Sequence, residues 1–276
     1  MDQFKKYNAA MLQSYSVRTA SELSAYMLKR LKPGMVVLDV GCGPGTITAD
    51  LVRHVLPGGS VTGLDANADA VAAAQEHGRS RHEEEENLRF VVGDVLHLPF
   101  ADGTFDVVHA HQVLVHIPSG EGTPGPVRAL REMRRVCKPG GIVCSRDAEW
   151  SSLVVYPAIP GLRESLEMME KLAWCRGTML AGGRGREFAR RAGFPRDNIW
   201  ASAEAVTYTN PEGRQWWGEN MARRLEVSES RGKGVELGLV SEQEYAAMVA
   251  AWRAWAQHED GFYSLTDGEI ICTKEE

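Results

Sequence analysis

Cysteine is scarce and scattered. Cys42, Cys137, Cys144, Cys175 and Cys272 are odd in number and show no C-x-x-C spacing, which argues against both a disulfide framework and a zinc site, so no metal is expected. Long basic runs are missing and the formal net charge is −6. A phosphate-neutralising surface clusters Lys and Arg, so nucleic acid is not an expected partner. The short patch Arg131, Arg134, Arg135 and Lys138 is more simply the solvated face of a helix. No apolar run approaches membrane-spanning length, and the opening MDQFKKYNAA lacks the apolar core of a signal peptide; a cytoplasmic protein off the membrane is expected. Internal repeats and low-complexity linkers are also absent. What remains is ordinary: 276 residues, 43% hydrophobic and 25% charged, enough for one α/β domain with a helical elaboration. Nothing in the pattern bears on oligomeric state.

From Met35 to Asp147 short apolar runs alternate with helical patterns, the signature of βαβ units and a parallel sheet. Strands are predicted at MVVLDV (35–40), SVTGLD (60–65), LRFVVGD (88–94), FDVVHAH (105–111) and GGIVCSRD (140–147). Helical patterns fill TITADLVRHV (46–55), ANADAVAAAQEHG (66–78) and PGPVRALREMRRVCKPGG (124–141). In the last, Leu130, Met133 and Val136 have helical spacing and Lys-Pro-Gly-Gly reads as the stop signal. The charge run RSRHEEEEN (79–87) reads as a solvated connection. Residues 1–34 predict one or two helices before the core. Residues 148–276 predict helices at 161–177, 183–194 and 211 to about 258, a strand at 198–210 and a last strand in GEIICTKEE. The whole is expected to be one domain: N-terminal helices (1–34), a cofactor-binding core (35–147) and a C-terminal part with a helical cap and the final strands (148–276). Helices inserted there would sit over the carboxyl edge of the sheet, where open α/β folds bind ligands.

The stretch VLDVGCGPGTI runs a strand into Gly41, Gly43 and Gly45 and then a helix. Glycine allows the tight turn and lets a ligand approach the backbone closely. Dinucleotide loops share this logic but ask for G-x-G-x-x-G; here Thr46 holds the sixth position and Pro44 sits inside the turn. Asp39 precedes the first glycine by two residues, where it could accept hydrogen bonds from the turn or from a ligand ammonium group. An inward carboxylate would repel a pyrophosphate. Asp65 ends the second strand, where a carboxylate can take both hydroxyls of an unphosphorylated ribose. Asp94 ends the third, where it can accept from an adenine amine, with the Val95 backbone serving the ring nitrogens. Together these describe adenosine carrying a positively charged amino-acid tail and no phosphates. The bland alternatives are that Asp39 caps the turn and that Asp65 caps a helix beginning at Ala66.

VLDVGCGPG, VTGLD, VVGDVLHLPFADGTFDVV and LREMRRVCKPGG resemble successive motifs of the class I S-adenosylmethionine-dependent methyltransferases, in the quinone-biosynthesis-like branch. The resemblance covers roughly residues 35 to 147. It implies a Rossmann-like α/β fold, a seven-stranded, mostly parallel sheet whose last strand is antiparallel. S-adenosyl-L-methionine is the implied cofactor, with contacts at Asp39, Gly41, Gly43, Asp65, Asp94 and Val95, around Ala110 and His111, and at the adjoining Cys42, Thr46 and Ala66. The N-terminal SYSVRTASELSAYML is placed to close over the cofactor through Tyr15 and Arg18.

Methyl transfer from a sulfonium is an in-line displacement, so the protein must align the nucleophile and exclude water. A base is needed only for a protonated nucleophile: a thiol with a pKa near ~8.5 needs little help and a phenol near ~10 needs more. Candidate catalytic groups lie at the ends of strands four and five. HAHQVLVHIP offers His109, His111 and His116 with Gln112, and SRDAEW offers Asp147, Glu149 and Trp150. Of these His111, His116 and Asp147 are the assigned candidates. The alternatives are that the histidines are hydrogen-bonded spacers and that Arg146 and Asp147 pair with each other. The cap is rich in aromatics (Trp150, Tyr156, Trp174, Trp216, Trp217, Trp252, Trp255, Phe262); most are expected in a core, and a subset could line an apolar acceptor pocket.

SYSVRTASELSAYMLKRLKPGMVVLDVGCGPGTITADL and SRDAEWSSLVVYP are similar to fungal small-molecule methyltransferases, in particular the gliotoxin-type dithiol S-methyltransferases. That similarity implies a small-molecule dithiol of secondary metabolism as acceptor, methylated in detoxification or tailoring. No residue by itself requires a thiol. An O- or C-methyltransferase of a phenol or quinone fits the same motifs, a NAD-dependent oxidoreductase fits the sheet but not Asp39, Pro44 or Thr46, and a non-catalytic cofactor-binding regulator would carry the same pocket.

Overall fold

The computed structural model describes residues 16–81, 87–118, 122–174, 179–227 and 230–276. Two short helices, α1 (Ala20–Leu23) and α2 (Ala25–Leu28), lead into β1 (Val36–Val40), α3 (Thr46–Val55), β2 (Ser60–Asp65), α4 (Ala68–Ser80), β3 (Leu88–Val92) and β4 (Phe105–His111). A 3₁₀ turn, Leu114–His116, is followed by α5 (Gly125–Val136), β5 (Cys137–Tyr156), α6 (Leu162–Trp174), α7 (Ala181–Ala192) and β6 (Ile199–Tyr208). The chain continues through α8 (Pro211–Val227), α9 (Ser230–Glu236) and α10 (Glu242–Gln257) into β7 (Phe262–Thr273).

The seven strands form one sheet in the order β3-β2-β1-β4-β5-β7-β6. The first five are parallel, and β7 runs antiparallel between β5 and β6. This is the mostly parallel sheet with an antiparallel last strand that the motifs imply. Central strands read as near-continuous apolar runs because both faces are covered. On one face α5 and α7 pack through Val127, Leu130, Met133, Val136, Phe188 and Ala189. On the other lie the N-terminal helices, α3 and α4, around Met27, Leu51, Val55 and Val71. A third cluster joins α6, α8 and α10 to the far ends of β5 and β7 through Met168, Leu225, Trp252, Trp255 and Tyr263. Trp252 and Trp255 are fully buried, as expected of an i, i+3 pair on an inward helix face.

Several boundaries differ from the sequence reading. β3 ends at Val92, leaving Asp94 in the turn beyond it, and the stretch from Pro211 to about His258 divides into three helices. Three further differences have a direct physical reason. Lys138–Gly141 does not follow a helix stop as a loop. The helix ends at Val136, β-backbone starts at Cys137, and pairing jumps from Phe105↔Cys137 to Val107↔Ile142, so the Lys-Pro-Gly-Gly run is the strand's irregularity. β5 also runs past Asp147 to Tyr156, and β7 starts at Phe262, because the two strands pair beyond the parallel sheet with an irregularity between Glu149 and Val154. Lastly, α4 starts at Ala68 rather than Ala66. Its cap is Asn67, whose side chain accepts from Asp69 N and Ala70 N, an arrangement worth about 1 kcal/mol.

Candidate active site

The carboxyl ends of β1, β2, β4 and β5 converge around the glycine loop. Gly41, Gly43 and Gly45 all have positive φ (68°, 53° and 80°), a region other residues resist. The amides of Gly41 and Cys42 donate to Leu64 O at 2.6 and 3.0 Å. A side chain at Gly41 would collide with Val113, and one at Gly45 would lie 2.8 Å from Ala74 and the Phe90 ring. Around Gly43 nothing lies within 4 Å of where a side chain would go. Two glycines therefore serve packing, and beside the middle one there is free space where a side chain would otherwise stand. Cys42 is buried, and burial pushes its thiol pKa well up; Thr46 opens α3 in the buried layer beneath.

Both acids under the loop are buried. Asp65 Oδ2 accepts from Gly43 N and Oδ1 from Asn67 N, each at 2.9 Å, and desolvation raises its pKa. Its helix-capping role passes to Asn67. Asp39 Oδ2 accepts from Thr48 Oγ1 at 2.6 Å, and Oδ1 lies 2.8 Å from His109 Nδ1. His109 Nε2 in turn lies 3.3 Å from Ser24 Oγ. Asp39 is thus the tie between β1, α3 and β4, and His109 is a spacer within that chain. Asp94 Oδ1 accepts from Leu96 N at 2.8 Å, with Val95 half-buried beside it and Ala66 exposed beside Asp65. A glycine loop whose amides are already bonded, lying over two buried carboxylates, suits a phosphate-free adenosine with a cationic tail; a diphosphate there would find few free donors and would meet like charge.

Ala110 is fully buried at the end of β4. His111 follows, buried, with no hydrogen bond at Nδ1. Desolvation, then the charges of Arg18, His109 and Arg146, hold its pKa well below the usual imidazole range. His116 lies at the end of the 3₁₀ turn, where solvent reaches its ring. Desolvation by the protein around it, then the charges of Arg224 and Arg18, bring its pKa down to about 4. Asp147 is buried under the same turn. Oδ1 accepts from Val115 N at 3.0 Å and Oδ2 from Ser145 Oγ at 2.5 Å, and burial pushes its pKa up to about 7.

Arg146 does not pair with Asp147, since adjacent strand residues face opposite sides of the sheet. It reaches Asp267 (3.0 Å), Glu204 (2.6 Å) and Glu269 (3.3 Å) on β6 and β7. Glu149 accepts from Gly183 N at 2.8 Å and Ser151 Oγ at 2.5 Å, so it fastens the start of α7. Trp150 packs between two of the clusters.

Sequence reasoning missed several groups at this end of the sheet. Tyr208 stacks on Trp217 at 4.8 Å, and Trp217 contacts Tyr263 at 5.0 Å. The Arg224 guanidinium lies 5.9 Å from the Trp217 ring centroid. The charges of Arg18 and Arg224 both act on His116 and on Tyr208, and Tyr208 feels the opposing charges of Asp267 and Glu22 as well, so this end of the sheet carries charges of both signs. The α8 aromatics had a visible signal as a cap cluster and Gln112 as a neighbour of the candidate histidines; Arg224 had none. Tyr156 and Phe262 are exposed, away from any core or pocket role. Tyr15 falls outside the described residues. Among the described residues no cluster of His, Cys, Asp or Glu could hold a metal ion, and no helix is long and apolar enough to cross a membrane.

A family model described as a methyltransferase domain matches residues 31–193. An uncharacterized methyltransferase of Schizosaccharomyces pombe is 35% identical over 96% of this chain and 93% of its own length. A demethylmenaquinone methyltransferase of Desulfitobacterium hafniense is 31% identical over 64% of this chain and 66% of its own. Among solved structures, Haemonchus contortus phosphoethanolamine N-methyltransferase 2 in complex with S-adenosyl-L-methionine shares the fold, with TM-score 0.58 and 19% identity, over 98% of this chain and 58% of that one.

Proposed function

Because the chain belongs to the S-adenosylmethionine-dependent methyltransferases, we propose that it methylates a small, largely apolar acceptor through sulfur, with a dithiol as the favoured substrate. When bound, the cofactor supplies a methyl group activated on a sulfonium. Asp65 is assigned to the ribose hydroxyls, Asp94 and the Val95 backbone to the adenine, and Gly41, Cys42, Gly43 and Thr46 to the methionine side. Ala66, Ala110 and His111 complete the wall, with Tyr15 and Arg18 closing from the N-terminal segment. Asp39 contributes from beneath, as the tie that holds the loop and a negative charge under the cationic tail.

The convergence of Arg18 and Arg224 beside His116 and Tyr208 carries the choice of acceptor. The two arginine charges, offset in part by Asp267 and Glu22, favour a nucleophile that reacts as an anion over an amine. A thiol, with a pKa near ~8.5, ionises there with the least assistance. His116 is assigned to face the acceptor as a neutral hydrogen-bonding group, and Asp147 to hold the turn that presents it. His111 stays neutral between the two sites. A phenol or quinone acceptor is the second reading, favoured by the likeness to the demethylmenaquinone methyltransferase. Incubation with isotope-labelled cofactor and a panel of dithiols, phenols and amines, followed by mass spectrometry, tests both. Label on sulfur is expected; label only on oxygen, carbon or nitrogen overturns the dithiol assignment.

A further inference from the structure

One residue at the end of β4 stands in a conformation its side chain does not favour. Gln112 has φ 56°, and among the described residues it is the one non-glycine with positive φ. Chains keep such a backbone where the surroundings over-determine it, and such positions cluster at functional sites. Glycine would meet the backbone requirement without strain but would lack an amide. Here the amide is used at both ends: Nε2 donates to Asp267 Oδ1 at 2.9 Å and Oε1 accepts from Ala148 N at 3.2 Å. The Gln112 backbone N–H donates to Arg146 O at 2.7 Å. Asp267 is itself pinned by Arg146 Nε at 3.0 Å. Gln112 is therefore clamped to β5 and β7 by three hydrogen bonds.

What the clamp aims is the next segment. Val113 fills the space over Gly41 that any side chain there would need. Two residues on, Val115 N is fastened to Asp147 Oδ1 at 3.0 Å, and the turn ends at His116. The segment between β4 and the 3₁₀ turn thus touches the glycine loop on one side and carries the proposed acceptor-facing histidine on the other.

We propose that Gln112 is a positioning residue for methyl transfer, locking a left-handed turn that seats Val113 on the glycine loop and aims His116. The inference rests on the methyltransferase reading of this site but not on the choice of acceptor. Two variants separate its parts. Gln112→Gly accommodates the backbone conformation, keeps the N–H bond to Arg146 O and removes the two side-chain bonds. Gln112→Asn, a residue that tolerates positive φ, keeps an amide one methylene too short to span both partners. S-adenosylhomocysteine binding by calorimetry needs no acceptor, so it reads the glycine-loop side alone. Both variants are expected to melt within a few degrees of the native protein yet bind S-adenosylhomocysteine at least fivefold more weakly. With dithiothreitol as the acceptor probe, kcat is expected to fall at least tenfold while the acceptor KM moves less than threefold. Unchanged S-adenosylhomocysteine affinity in both variants overturns the proposal. Native enzyme that binds S-adenosylhomocysteine but leaves dithiothreitol unmethylated counts against the dithiol reading alone, and the binding comparison still decides the role of Gln112.

Discussion

Gly43 and Gly45, two residues apart, should respond oppositely to the same change. Both have positive φ, so an alanine at either carries a left-handed penalty of about 1–2 kcal/mol. At Gly45 the new methyl would also lie 2.8 Å from Ala74 and the Phe90 ring, and overpacking of this kind adds about 1–3 kcal/mol. Gly45→Ala should therefore lose about 3 kcal/mol, and in a chain of this size each kcal/mol lowers Tm by roughly 2–4 °C. Gly43→Ala meets nothing within 4 Å and should lose only the left-handed penalty, roughly 2–8 °C. Its methyl, however, stands where the ligand is proposed to approach the backbone. Thermal melts paired with calorimetry of S-adenosylhomocysteine separate the two. Gly45→Ala should melt early yet, while folded, keep most of its affinity. Gly43→Ala should melt near the native protein and bind at least tenfold more weakly. A Gly43→Ala protein with native affinity refutes the assignment of the loop's middle as the approach face.

Other substitutions probe the acids and the buried arginine. Asp65→Ala should weaken S-adenosylhomocysteine binding by tenfold or more in the same calorimetry; unchanged affinity removes Asp65 from the site. Asp147 has a folded pKa of about 7, above its unfolded value near ~3.9. The folded state therefore binds the extra proton, and stability falls as pH rises from about 4 to about 7. Asp147→Asn, which removes this ionisation, should gain on the native protein between pH 5 and pH 8 in denaturant titrations; a constant difference would refute the raised pKa. Arg146→Leu strands Asp267 and Glu269 without their counter-charge, and breaking a buried pair this way costs about 3–5 kcal/mol. Part of that loss should return in melts at acid pH as Glu269, already raised by burial, takes up a proton.

The parallel half of the fold was legible because its short β-branched and apolar stretches alternate with helical patterns, and SVTGLD and FDVVHAH match β2 and β4 to the residue. β5 beyond Asp147 was not. Val154 and Tyr156 lie largely exposed, and their strand conformation comes from pairing with β7, more than a hundred residues later. At the site, Asp65 and the glycines announce themselves through spacing within one βαβ unit. The partners of Asp39 and Arg146 do not, because His109 and Asp267 reach them only after the chain has folded back. The conformation of Gln112 was the least legible, since no local pattern encodes positive φ at a glutamine; its partners Arg146, Ala148 and Asp267, the last 155 residues away, explain it.

The position of β7 has a consequence for the order in which the molecule is made. Among the described residues β6 finds its strand partner only in β7, which is synthesised some fifty residues after it. The first five strands can pair as they leave the ribosome, each beside a neighbour already present. β6, in contrast, must wait with its edges open, as must the ends of β5 that β7 will cover, and unpaired edges of this sort invite pairing with other chains. The glycine loop can thus assemble during synthesis, while the aromatic cluster of Tyr208, Trp217 and Tyr263 forms only when the final strand slides between its two neighbours. A ribosome stalled before Phe262 would hold a chain with its glycine loop built and its aromatic cluster still unmade.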